Sequence, residues 1–156
     1  FYFIRVWSVT GVQTCALPIS VPNEALYSQR LSDHYIRTGQ FAEAIDSLTA
    51  LQAALGIRDG AIESWKSSAA LAMNELEDSE KFAVQATEAE PSLEVGWWSL
   101  LRARTRAGDY SGATEALTRL EDDFGHSLDP ATLRRDRFLR VLASKPEYVD
   151  WRATRK

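Results

Sequence analysis

Two histidines, one cysteine and a run of arginines are the side chains from which this 156-residue chain could build a reactive or ligand-binding centre. Asp33 and His34 are adjacent, the nearest approach to an acid–base pair. Neighbours on a helix point about 100° apart, so these two cannot act together, and His34 reads as a packed or surface histidine. His126 falls in a loop where no carboxylate or nucleophile is expected beside it. A lone cysteine, Cys15, supports neither a disulfide framework nor a Cys-based zinc site, and two histidines are too few for a His-rich metal site. No phosphate-cradling glycine loop, dinucleotide fingerprint, nucleophile elbow or zinc-protease motif occurs. The expectation is of no catalytic residue, no metal, no cofactor and no small-molecule substrate. Arg134, Arg135, Arg137 and Arg140 could touch phosphates. Asp136 stands among them, however, and no base-reading motif accompanies them. The whole chain carries 22 acidic against 18 basic residues, a net charge of −4, which disfavours nucleic acid as a partner.

The elements around these residues follow from composition and periodicity. Hydrophobic residues make up 45% and charged residues 26%, the balance of an ordinary folded domain rather than of a disordered tail or a multi-pass membrane protein. The chain also repeats itself. RTGQFAEAIDSLTALQAALG, from Arg37, matches RAGDYSGATEALTRLEDDFG, from Arg106, at seven of twenty positions with a constant offset of 69. Unrelated segments of average composition would share roughly one or two. Half of that offset is about 34, a period that implies a third, degenerate copy over residues 60–92.

Each copy reads as helix, turn, helix. In the last copy Trp97, Leu100 and Leu101 lie on one stripe, Gly108-Asp109 breaks the helix, and Tyr110, Ala113, Leu117, Leu120 and Phe124 recur at helical spacing. Gly108 suits a left-handed helix end. Ala113 is small enough to let two helices approach closely. Leu31, Tyr35, Gly39, Phe41, Ala44, Ile45, Leu48 and Leu51 repeat the design in the first copy. Ser92 is the expected N-cap of the helix carrying Trp97. In the tail, Asp129-Pro130 opens a helix whose apolar face is Leu133, Phe138, Val141 and Leu142. Ser144-Lys145-Pro146-Glu147 reads as a capping box for a last helix carrying Tyr148 and Trp151.

Over residues 23–125 the chain resembles a tetratricopeptide repeat protein, whose consensus runs Trp-x2-Leu-Gly-x2-Tyr, then Ala-x3-Phe, then Pro. The last copy matches at Trp97, Leu100 and Ala113, with Leu117 for the Phe, and departs at Leu101 and Arg104. The first has Ser28 for the Trp but keeps Leu31, Tyr35 and Ala44. In the middle copy Trp65, Ala69, Ala86 and Pro91 fit, with Trp65 to Pro91 two residues short. The resemblance implies an all-α, right-handed α-solenoid of about three helix-turn-helix repeats (23–58, 59–92, 93–125) sharing one continuous core. Residues 126–156 are then C-terminal capping helices, because stacked repeats need a polar end.

The resemblance also implies a function. The first helices of such an array line a concave groove, which here would carry Arg30, Asp33 and Arg37, then Lys66 and Ala70, then Trp98, Arg102 and Arg106. The second helices are acidic: residues 75–91 hold six carboxylates against one Lys, and residues 109–123 hold five against Arg119. A basic groove favours an acidic peptide or a C-terminal carboxylate, the other reading of the charge stripe being a solvated helix face, and Trp98 is either an exposed anchor or packed under the tail. The implied role is a non-catalytic scaffold or adaptor, of bacterial type, with the compartment, cytoplasm or periplasm, left open. The alternatives are a truncated interaction domain of a larger enzyme, regulator or secretion and assembly system, or a self-associating subunit.

The beginning of the chain stands apart. VTGVQTCALPI, residues 9–19, resembles the translation of a common short-read sequencing adapter over eleven consecutive codons. An apolar signal segment is the competing reading, but Arg5 interrupts it and no small-x-small cleavage site follows. Residues 1–22 are therefore expected to be a non-native or disordered leader, with Cys15 carrying no function.

Overall fold

The computed structural model describes residues 30–155 except 32, 33 and 36. Asp33 and residues 1–22 lie outside the described residues. Helical positions at 30, 31, 34, 35, 37 and 38 come first. Five longer helices follow: α1 (Phe41–Leu55), α2 (Gly60–Ala72), α3 (Leu76–Ala89), α4 (Glu94–Ala107) and α5 (Tyr110–Asp122). A short α6 (Pro130–Arg135), a 3-10 turn (Leu142–Ser144) and α7 (Pro146–Ala153) complete the chain. Among the described residues there is no strand, and no helix is long and apolar enough to cross a membrane. Successive helices pack as neighbours, α1 on α2, α2 on α3, α3 on α4 and α4 on α5, with α2 also touching α4 and α7 covering α5. This is a helical-repeat solenoid.

The turn inside each pair is built the same way three times. Gly39, Asn74 and Gly108 hold φ of +77°, +63° and +84°. The next backbone N–H donates five residues back: Gln40 to Tyr35 at 2.8 Å, Glu75 to Ala70 at 2.9 Å and Asp109 to Arg104 at 3.0 Å. A left-handed residue followed by this six-to-one bond satisfies carbonyls that a helix end leaves without partners. A Cβ on Gly108 would meet nothing within 4 Å. The cost of Gly108→Ala is then the backbone conformation alone, about 1 kcal/mol, seen as a lower urea midpoint with unchanged slope.

Close approach is built the same way too. Ala44, Ser79 and Ala113 are each the fourth residue of their helix, and all three are fully buried. In the middle pair the serine has a partner. Ser67 Oγ donates to the Ser79 carbonyl at 2.8 Å and Ser79 Oγ donates to the Ser67 carbonyl at 3.0 Å. These reciprocal bonds satisfy hydroxyls that would otherwise be costly to bury.

The middle copy has a register different from that expected of Trp65. Both its helices begin 34 positions before their counterparts in the last pair, Gly60 against Glu94 and Leu76 against Tyr110. Glu63, not Trp65, therefore stands in the slot of Trp97, and Lys66 stands in the slot of Leu100. The two missing residues between Trp65 and Pro91 disappear in this register. Trp65 packs instead beside Leu48, Leu51 and Ile62.

That substitution divides the core. One apolar cluster joins α4, α5 and the tail through Leu100, Leu101, Leu117, Leu120, Leu133 and Tyr148. A smaller one joins Leu48, Leu51 and Ile62. Between them α2 buries Glu63, Ser64, Lys66 and Ser67. Helix α2 also buries Ala69, Ala70 and Leu71 and gives Ile62 to the smaller cluster, so the expected single continuous core is two clusters with polar groups buried along α2 beside the smaller one.

The expected caps are corrected at two places. Leu93, not Ser92, precedes α4, and no side chain caps it. Pro91-Ser92 are taken up in a turn closed by the Leu93 N–H on the Glu90 carbonyl at 3.0 Å. Ser144 closes the 3-10 turn, donating to the Val141 carbonyl at 2.9 Å, so Lys145 becomes the uncapped start of α7. Asp129 does cap α6, accepting the Thr132 N–H at 2.7 Å, and that bond lowers its carboxyl pKa. Beyond α6 the apolar face changes phase because the chain leaves the helix at Asp136. Leu133, Leu139 and Leu142 are buried, Phe138 is half-buried, and Val141 is exposed.

Candidate interaction groove

Corresponding places on α2 and α4 lie 34 positions apart, so Ser64, Ser68 and Ala72 answer to Trp98, Arg102 and Arg106. Ala70 is fully buried and lines nothing. Lys66 does not join the α4 face; it lines a separate cavity of about 510 Å³ with Gln52, Glu63, Lys81 and Phe82. It is 5% exposed, with Nζ 3.1 Å from Glu63 Oε2, 3.2 Å from Gln52 Oε1 and 4.4 Å from the centre of the Phe82 ring. The helical stripe assumed for Trp65 turned Lys66 outward; the true register turns it in against α1. Arg30 and Arg37 are exposed on the preceding helical residues.

The remaining expected residues gather on α4. Arg102 Nε donates to Asp136 Oδ2 at 2.8 Å, and its guanidinium lies 5.6 Å from the Trp98 ring centre. Arg106 donates to Asn74 Oδ1 at 2.9 Å, tying the end of α4 to the turn after α2. Trp98 is half-buried. Its Nε1 donates to Glu94 Oε1 at 2.8 Å, and His126 meets its ring edge-on at 5.2 Å.

His126 has a carboxylate after all: its Nε2 lies 2.7 Å from Glu94 Oε1. The two are 32 residues apart in sequence, so only the packing of the loop after α5 onto the start of α4 brings them together. The Trp98 indole N–H, with His126 after it, holds the Glu94 carboxyl below the ordinary glutamate range. The trio fixes the Trp98 ring in place as a groove wall. No nucleophile joins it, and among the described residues no three or more His, Cys, Asp or Glu gather as a metal site.

Two cavities flank the Arg102–Asp136 pair, and both residues line both. One, of about 700 Å³, lies between α4 and α6 and is walled by Leu93, Val95, Trp98, Leu133 and Leu139, with Arg135 at its edge. The other, of about 500 Å³, is formed by Phe41, Ser68, Leu71, Ala72, Arg137 and Phe138. Sequence reasoning assigned Arg135 and Arg137 to a solvating tail. The approach of Arg137 to α4 depends on the break at Asp136, which no local pattern marks.

No protein-family model matches the chain, and no curated protein sequence matches it. Among solved structures, the chain is similar to the Sgt2 TPR domain from Aspergillus fumigatus. The TM-score is 0.66 and the identity 20%, over 90% of this chain and 89% of that one. Such a likeness at low identity carries the architecture and nothing further. With the three equivalent turns and the small residues at the close contacts, it establishes that this chain has the fold of a tetratricopeptide repeat domain.

Proposed function

We propose that the chain is a non-catalytic protein–protein interaction module, a scaffold or adaptor that holds a segment of another protein along the face of α2, α4 and α6. The observation that carries this reading is the pair of apolar cavities meeting at Arg102, with Trp98 immobilised beside it. Apolar walls around a few fixed polar groups are the ordinary form of a binding site. Arg102, Arg106, Arg135 and Arg137 give the face a basic character that Lys66 does not share. An arginine with an exposed guanidinium edge pairs well with carboxylates, so an acidic segment is the favoured ligand.

Fluorescence anisotropy with a pool of acidic peptides tests the reading. Arg102→Glu plus Arg106→Glu should bind at least about ten-fold more weakly than the wild type, a loss of about 1.4 kcal/mol. Circular dichroism confirms that the helices persist. Equal affinity in the two proteins removes the groove as the binding surface.

A further inference from the structure

The tail crosses the groove that the preceding subsection assigns to a partner. Helix α6 stops at Arg135, and Asp136 takes an extended conformation with φ −86° and ψ 122°. Both oxygens of its carboxylate are used. Oδ2 accepts from Arg102 at 2.8 Å, and Oδ1 accepts the Phe138 N–H at 2.8 Å. The first bond places a carboxylate on the groove arginine. The second folds the next two residues over, so that Arg137 and Phe138 wall the smaller cavity with Phe41 and Leu71.

The pair also separates the two cavities, since it forms part of the lining of each. Its side chains remain 34% and 20% exposed, so water reaches it and holds its strength to that of a modest surface ion pair. Exchanging one carboxylate for another on Arg102 therefore conserves the charge pairing.

We propose that Asp136-Arg137-Phe138 occupies the groove in cis, and that a partner's carboxylate displaces Asp136 from Arg102 on binding. This rests on the groove reading above. The partner chemistry follows from the occupant: an extended segment with an Asp or Glu, and an aromatic side chain two residues later. The carboxylate meets Arg102 and the ring enters the space now bounded by Phe138. Because the tail must give way first, the apparent affinity of the wild type is reduced by the fraction of molecules in which it has done so.

The test uses the full chain and two fluorescein-labelled peptides, Gly-Gly-Asp-Ala-Phe-Gly-Gly and its twin with Asn for Asp. Asp136→Asn removes the charge but keeps an oxygen to accept the Phe138 N–H. It should bind the Asp peptide about two- to five-fold tighter than the wild type, the range of an exposed ion pair. The Asn peptide should show no gain, and Arg102→Gln should abolish the gain when combined with Asp136→Asn. If Asp136→Asn binds like the wild type while Arg102→Gln weakens both, the latch is wrong and the groove stands. If neither protein binds, or Arg102→Gln changes nothing, the groove fails and the latch with it. Should Asp136→Asn not fold, Asp136→Ser, whose hydroxyl can also accept from the Phe138 N–H, answers the same question.

Discussion

Lys66→Met alone is expected to lose about 3–5 kcal/mol of stability, more than any surface charge in the chain could. Lys66 and Glu63 are 5% and 3% exposed and lie 3.1 Å apart. Removing the ammonium leaves a carboxylate in an interior that cannot solvate it. Gln52 Nε2 still donates to Glu63 Oε1 at 3.0 Å, but one amide does not balance a full charge. The double variant Glu63→Leu plus Lys66→Leu should behave in the opposite way. It restores apolar residues to slots that Trp97 and Leu100 fill in the last pair. Replacing a buried ion pair with packed hydrocarbon is commonly neutral or stabilising by about 1–4 kcal/mol. Urea denaturation of the two variants separates the cases. A single variant losing less than about 1 kcal/mol would show that water reaches the pair.

Tyr148→Ala should cost about 3–5 kcal/mol, the usual penalty for deleting a buried aromatic side chain. Tyr148 is 2% exposed within the larger apolar cluster, and burial raises its phenol pKa. Its hydroxyl donates to the Leu128 carbonyl at 2.8 Å, tying α7 to the loop before α6. Tyr148→Phe keeps the ring and leaves that buried carbonyl without a partner, for about 1–3 kcal/mol. A single unfolding transition in both variants means that the tail unfolds with α4 and α5. A separate early transition in Tyr148→Ala would show the tail to be an appendage.

The parts of this architecture visible in the sequence are those fixed by steric demand at one position. Gly39 and Gly108 stand where a left-handed residue is needed, and Ala44 and Ala113 where two helices touch, so each pair could be matched at a distance of 69. The middle copy hid these marks because Asn74 and Ser79 solve the same problems with different side chains. Trp65, the strongest signal there, belongs to another stripe, and it drew Lys66 and Ala70 onto the face of α4, whereas Ala70 is buried and Lys66 lines a separate cavity beside α1. The groove's defining contact was out of reach for a different reason. Arg102 and Asp136 are 34 residues apart, and they meet because α6 ends after six residues. His126 and Glu94 likewise depend on a loop path. Trp98, Arg102 and Arg106 were named because the family resemblance places a groove on the first helix of each pair, and in the last copy the register of that helix was read correctly.

The polar groups buried on α2 have a dynamic consequence. Cooperativity spreads through a repeat array by nearest-neighbour contacts. Here α2 buries serines and a charged pair beside Ala69, Ala70 and Leu71, and the two apolar clusters do not merge across it. Helix α1 can then fray while α4, α5 and α7 stay closed, so its amides exchange with solvent through a cheaper partial opening. The amides of α1 are therefore expected to exchange faster than those of α4 and α5, which native-state hydrogen exchange checks.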